Sequence, residues 1–352
     1  MRQMSPPCSF ANCSGVIEKF ASRVSCRARG VMMPICVKEG LPAIEALANE
    51  NIFIMSESRA EHQDIRTLRI LIVNLMPTVI ATETQLLRLL SNTSLQLSVE
   101  FLKISTHIPK NSILEHLHQF YMTFEEIKNK SYDGMIITGA PIGQLEFEEA
   151  DCWDELCEVM EWAKYHVNSA LYSCWSAYAA LHYHFGLNKC NLSNKLSGIY
   201  AHTVNMRRHP IVRGFDDIFM APHSRDIAIN KEELLKISEL DILAESEKAG
   251  VYLISDTNNK QLFVTGHCEF DRAALESEYI QDCLKGLNPK FPENFQIKDK
   301  SPFSKQTSWN SHASLLFSNW LNYYVYQQTP YRLSDIGYKN NIEKMGKLSV
   351  AK

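Results

Sequence analysis

From about residue 68 the chain alternates short apolar runs with amphipathic stretches. Leu68-Arg-Ile-Leu-Ile-Val-Asn-Leu75 is apolar, partly β-branched, and stops at Met76-Pro77. Such a run predicts a strand covered on both faces. Thr82 is then the expected N-cap of a helix that buries Leu86, Leu87, Leu89 and Leu90. Leu95, Leu97, Val99 and Phe101 alternate with Gln96, Ser98 and Glu100, the period of a strand with one exposed face. Residues 134–138 predict another strand, which enters the tight Gly139-Ala-Pro-Ile-Gly143. Trp153, Leu156, Met160, Ala163 and Val167 recur at steps of three and four, giving one apolar helix face. A strand over 169–172 leads to Cys174, and a helix begins at once with Trp175. Further strands are expected at 218–221, 250–254 and 262–265, and helices at 273–284 and 313–325. Strands alternating with helices predict an α/β fold built on a doubly wound, mostly parallel sheet. Ligands of such sheets bind beyond the carboxyl ends of the strands, where Gly143, Cys174 and His267 all fall.

Composition changes this picture at the ends of the chain. Residues 1–32 carry Arg2, Lys19, Arg23, Arg27 and Arg29 against the single Glu18, with much Ser and Cys. That is the composition of a transit peptide. The preferred reading is that the segment lies upstream of a working start at Met32 or Met33. It is set apart as an N-terminal extension, with a catalytic domain at 33–333 and a polar, Lys-rich tail at 334–352.

Length and 45% hydrophobic content allow a large core in the 352 residues, and a net charge of −4 offers no global field for nucleic acid or anionic membranes. No apolar run approaches the ~20 residues of a membrane span. The ten cysteines sit mostly within regular patterns and no secretory signal precedes them, so reduced thiols in the cytoplasm are expected. Nothing near Cys152 and Cys157 completes a metal tetrad. His116/His118 and His182/His184 fall on helical stretches, where two-residue spacing points side chains about 200° apart, so no metal is expected. Neither a P-loop nor Gly-x-Gly-x-x-Gly is present.

Chemistry concentrates at two breaks. Cys174 lies between a buried strand and a helix start, with Ser173, Ser176 and Ala177 around it, as a nucleophile elbow requires. A thiol at a helix N-terminus is in a field that favours thiolate, and the next amide, that of Trp175, faces a developing oxyanion. In Leu262-Phe-Val-Thr-Gly-His267-Cys-Glu269 an apolar strand breaks at Gly266. On extended backbone His267 and Glu269 would face one way, the carboxylate orienting the imidazole as a third member of a triad. His223-Ser224-Arg225 reads either as a strand-end turn or as a polar anchor for a substrate.

From about Met33 to Leu333 the chain resembles the homoserine O-succinyltransferase family, relatives of the class I glutamine amidotransferases with a flavodoxin-like core. The resemblance is carried in order by Leu75-Met-Pro77, Thr82-Glu-Thr-Gln-Leu-Leu-Arg-Leu-Leu90, Ile137-Thr-Gly-Ala-Pro141, Lys195-Leu-Ser-Gly198, Gly214-Phe-Asp-Asp217, Ala221-Pro-His-Ser-Arg225, Val264-Thr-Gly-His267 and Asn319-Trp-Leu-Asn-Tyr-Tyr-Val-Tyr326. It implies acyl transfer from succinyl-CoA, a co-substrate, through an acyl-Cys174 intermediate to the γ-hydroxyl of L-homoserine, the first committed step of methionine biosynthesis. No cofactor is implied. Lys195 and Ser224 are then expected to contact the amino acid, and Trp175 and Ile142 to supply oxyanion-hole amides. Gly143 accompanies succinyl donors, whereas a glutamate there accompanies acetyl donors and would repel a succinyl carboxylate. The expected partners are these small molecules, without nucleic acid or membrane, and a homodimer is left open.

Three positions depart from the family pattern. Val79 and Ala81 stand where lysine and glutamate are common, and Gln281 where an arginine meets the substrate carboxylate. With Gln281 there, either homoserine binds more weakly, or another cation such as Arg225 or Arg272 compensates, or the acyl acceptor differs. The alternatives are an acetyltransferase acting on homoserine or serine, and a non-catalytic paralogue that binds without turnover.

Overall fold

The computed structural model describes residues 35–50, 52, 54–56, 66–106, 114–258, 260–271, 273–295, 308–330 and 333. The expected N-terminal extension and C-terminal tail lie outside them. Twelve strands form one sheet among these residues. They are β1 (Ile35–Val37), β2 (Ile54–Ser56), β3 (Leu68–Val73), β4 (Leu97–Leu102), β5 (Tyr121–Met122), β6 (Tyr132–Ile137), β7 (Val167–Ser173), β8 (Lys189–Val204), β9 (Ile218–Ile229), β10 (Leu240–Ser246), β11 (Gly250–Asp256) and β12 (Gln261–Val264). The order is β2-β1-β4-β3-β6-β7-β12-β11-β10-β8-β9, with β5 beside β4. Pairing is parallel from β2 through β12 and antiparallel from β12 to β9. The sheet is therefore the expected mostly parallel one, extended by an antiparallel edge.

Alternation along β3 shows why the sheet is covered on both faces. Ile70 and Ile72 join a core with Leu87 and Leu90 of the helix Val79–Leu90 and with Trp320 and Leu321. Leu71 and Val73 point the other way, into a core with Leu156 and Met160 of the helix Trp153–His166 and Leu181 of the helix Trp175–Phe185. Period-two side chains thus feed two apolar layers. Among the described residues, no helix is long and apolar enough to cross a membrane.

Four expectations change. The first long helix starts at Val79 with Thr78 at the N-cap position, directly after Pro77, so Thr82 lies inside it and donates to the Thr78 carbonyl at 3.0 Å. Val167 opens β7 instead of ending a helix. The strand expected at 218–221 runs on to Ile229, which places His223-Ser224-Arg225 within a strand and excludes the turn reading. The final helix begins at Asn310 and continues past Asn319 as a π-helical stretch, Trp320–Tyr326. Within that stretch the Tyr324 carbonyl accepts from Asn168 Nδ2 at 2.9 Å, a buried partner beyond the helix.

Strands β8 and β9 form a long antiparallel ribbon. Among the described residues, Thr203 and Val204 of β8 pair with β10, Gly198 bridges Glu293, and the other pairings of β8 are with β9. The ribbon returns to the sheet where the His267 N–H donates to the Pro222 carbonyl at 2.9 Å.

Candidate functional site

Register aligns the carboxyl ends of three strands. Ile137 of β6 lies beside Tyr172 of β7, and Ser173 of β7 beside Val264 of β12. The residues that follow therefore emerge together: Gly139, Cys174 and His267. Cys174 has φ 53° and ψ −120°, a conformation that costs a non-glycine residue about 1–3 kcal/mol. Two anchors hold it. Its N–H donates to the Val264 carbonyl at 2.7 Å. The Ser176 hydroxyl accepts from the Ser173 N–H at 3.0 Å and donates to the Ile137 carbonyl at 2.7 Å, tying the turn to the neighbouring strand. The small residue expected at Ser176 is thus a staple between β6 and β7.

Gly139 shows how closely the β6 loop meets the elbow. A Cβ there would lie 3.0 Å from the Cβ of Cys174 and 3.5 Å from the Trp175 nitrogen. The missing side chain leaves open the space beside the thiol and the first helical amide. Ile142 lies further along this loop, where its carbonyl accepts from the Leu145 N–H at 3.2 Å.

His267 and Glu269 meet as expected, though in a turn after β12 instead of on extended backbone. Imidazole Nδ1 and the Glu269 carboxylate are 2.7 Å apart, both groups almost wholly buried. Phe270 stacks on the ring at 4.1 Å between centroids. Burial opposes charge on His267, but the Cys174 sulfur and the Glu269 carboxylate beside it hold its pKa well above the ordinary value. Two acids and one base converge: Nδ1 is held by the carboxylate, and the thiol is the imidazole's other hydrogen-bond partner.

A second cluster forms on the ribbon, where Ser224 stands two residues after the Pro222 that accepts from the His267 N–H. Lys195 and Ser224 come together on the helix Ala274–Leu284. Lys195 Nζ lies 2.6 Å from Asp282 and 3.7 Å from Glu278, and the Ser224 hydroxyl donates to Glu278. Desolvation lowers the Lys195 pKa, yet Glu278, Asp282 and Asp226 raise it on balance. Sequence reasoning missed these three acids. Glu278 and Asp282 are spaced i,i+4 on a helix, a signal that reads equally well as a solvated face.

Gly143 and the departures from the family pattern also find their places. The atoms nearest to a Cβ at Gly143 would be those of Ile227, at 3.6 to 3.9 Å, which is ordinary contact. Val79 is buried at the head of its helix and Ala81 is exposed. Gln281 is exposed on the helix that carries Glu278 and Asp282. Arg225 is no free cation: it is buried, its guanidinium donates to the carbonyls of Ile227 and Ala249, and it lies 3.3 Å from His223. Arg272 lies outside the described residues. His116 contacts Glu83 and His182 contacts Glu148, so neither helical pair converges on a common ligand.

Comparison with known proteins gives the family. A sequence model of the family described as homoserine O-succinyltransferase matches residues 34–331. A protein of Acetivibrio thermocellus named homoserine O-acetyltransferase is 50% identical over 304 residues, covering 86% of this chain and 100% of its own. One of the same name from Catenibacterium mitsuokai is 54% identical over 307 residues, covering 86% and 98%. Among solved structures, a glutamine amidotransferase from Methylobacillus flagellatus is similar with a TM-score of 0.49 and 9% identity, over 73% of this chain and 95% of that one. Matched from residue 34 to residue 331, the chain belongs to the homoserine O-succinyltransferase family.

Proposed function

We propose that this protein is a homoserine O-acyltransferase that works through an acyl-Cys174 intermediate and takes succinyl-CoA as donor. The observation that carries the catalytic reading is the strained Cys174 beside a His267–Glu269 pair. The thiolate of Cys174 attacks the thioester carbonyl, and Trp175 N–H with a loop amide such as that of Ile142 receives the oxyanion. Collapse expels CoA, which leaves with the proton of the His267 imidazolium. The now neutral imidazole takes the proton of the homoserine γ-hydroxyl as that oxygen attacks the acyl thioester. Cys174 departs as thiolate, and the thiolate–imidazolium pair is restored. Glu269 holds Nδ1 throughout, and Lys195 and Ser224 bind the amino acid. The pathway step is methionine biosynthesis in the cytoplasm.

The donor reading rests on Gly143. The atoms nearest to a Cβ there belong to Ile227 at ordinary contact distance, and a glutamate side chain would fill space beside the loop and repel a succinyl carboxylate. A second reading, acetyl-CoA, is favoured by the names of the relatives at about half identity.

Intact mass spectrometry after incubation with each donor alone tests both readings. Wild type is expected to gain one succinyl group, Cys174→Ala none, and added homoserine to release it. An acetyl adduct formed in preference to succinyl overturns the donor, and no adduct from either donor overturns the mechanism. Gly143→Glu is expected to shift the ratio of kcat/KM values toward acetyl-CoA, and an unchanged ratio removes Gly143 as the selector.

A further inference from the structure

The loop that carries Gly143 is held by an ammonium group from the far end of the ribbon. Lys189 is the first residue of β8, and its side chain is only 3% exposed. Its Nζ donates to the Gly143 carbonyl at 2.9 Å and to the Leu145 carbonyl. Two exposed carboxylates lie on its solvent side, Glu146 at 3.6 Å and Glu148, whose pKa the ammonium helps to lower. The ammonium also sits 5.5 Å from the centre of the Phe147 ring, which itself lies 5.9 Å from the Trp175 ring next to Cys174. A buried ammonium fixed by two carbonyls and an aromatic face, with its carboxylate neighbours only on the exposed side, can turn its charge to an anion that enters at the Gly143 loop.

We propose that Lys189 is a specificity-determining residue for the acyl donor, its ammonium meeting the free carboxylate of a dicarboxylic acyl group at the Gly143 loop. This rests on the succinyl reading above and deepens it. Gly143 leaves the space, and Lys189 supplies the charge that makes the space favour a carboxylate over a methyl group. The two carbonyl contacts fix the ammonium to the backbone at the selecting position, so the charge is placed before the donor arrives. A donor without a terminal carboxylate leaves this interaction unmade.

Lys189→Met removes both the charge and the clamp, whereas Lys189→Gln keeps an N–H donor for the Gly143 carbonyl and removes the charge alone. Both are compared with wild type in kcat/KM for succinyl-CoA and for acetyl-CoA at saturating homoserine. Each variant is expected to lose selectivity for succinyl over acetyl on the order of 10- to 100-fold, as loss of a charged hydrogen bond implies. Lys189→Arg is expected to keep most of it, because the charge remains. Equal losses for both donors in Lys189→Gln, with the ratio unchanged, would leave Lys189 as a clamp only and overturn the proposal. Preference of the wild type itself for acetyl-CoA overturns the donor reading and this inference with it. That failure shows before any variant is made, so the two are distinguishable.

Discussion

At the scale of single residues, the charge state of His267 is set by a contest. Burial alone would keep the imidazole neutral, and the Cys174 sulfur and Glu269 carboxylate reverse that outcome. Removing the sulfur therefore lowers the pKa. Histidine NMR titration is expected to place His267 of Cys174→Ala below its wild-type value, and an unchanged midpoint would mean that the thiol does not bear on the ring. The stability consequence has a definite sign. A group whose folded-state pKa is raised contributes most below its unfolded value, about 6.5 for histidine, and that contribution fades as pH climbs through the folded value. In Cys174→Ala the loss should be complete at lower pH than in wild type. Cys174, His267 and Glu269 were legible in sequence because each sits at a break where an apolar run ends. Glu278 and Asp282 were not, since their partners, Lys195 and Ser224, arrive from a ribbon far away in sequence.

At the scale of elements, the ribbon is what joins the two halves of the site. Ser197 of β8 pairs with Ser224 of β9, and Gly198 pairs with His223. The chain beyond the helix Ala274–Leu284 crosses here: Glu293 donates its N–H to the Ser197 carbonyl at 2.8 Å and accepts from the Ile199 N–H at 2.8 Å. Gly198 has φ +146°, and a Cβ on it would stand 2.4 Å from the Glu293 carbonyl oxygen. Gly198→Ala must therefore push the crossing segment off the ribbon and shift Ser224 and Lys195 relative to Glu278 and Asp282. The expected result is a KM for homoserine raised on the order of tenfold, with the rate of acyl-Cys174 formation from the donor alone little changed. Equal damage to both half-reactions would show that the ribbon supports the elbow as much as the acceptor site. Sequence patterning did not reveal this element. Along β8 the burial is irregular, and most of its residues pair with β9 alone, so no steady alternation marks it. The central parallel strands β3, β6, β7 and β12 announced themselves because both their faces are covered, as the unbroken burial of β6 and β7 shows.

At the scale of the whole molecule, the two apolar layers are closed by residues from Ile35 onward. Ile35, Cys36 and Val37 are buried between β2 and β4, and among the described residues the two cores draw on side chains from 35 to 325. The relatives tell the same story by length, matching 98–100% of themselves against 86% of this chain. A family match that begins at residue 34 predicts a fold that does not depend on residues 1–32 for stability. A chain begun at Met33 is expected to unfold within ~2 °C of the full-length protein and to keep its kcat/KM within about twofold. A fall in Tm beyond ~5 °C, which corresponds to roughly 1–3 kcal/mol for a domain of this size, would show that the first 32 residues pack on the described core. Loss of activity without loss of Tm would instead assign them to the site. Either result would move the boundary drawn at Met33, which was placed on charge and composition alone.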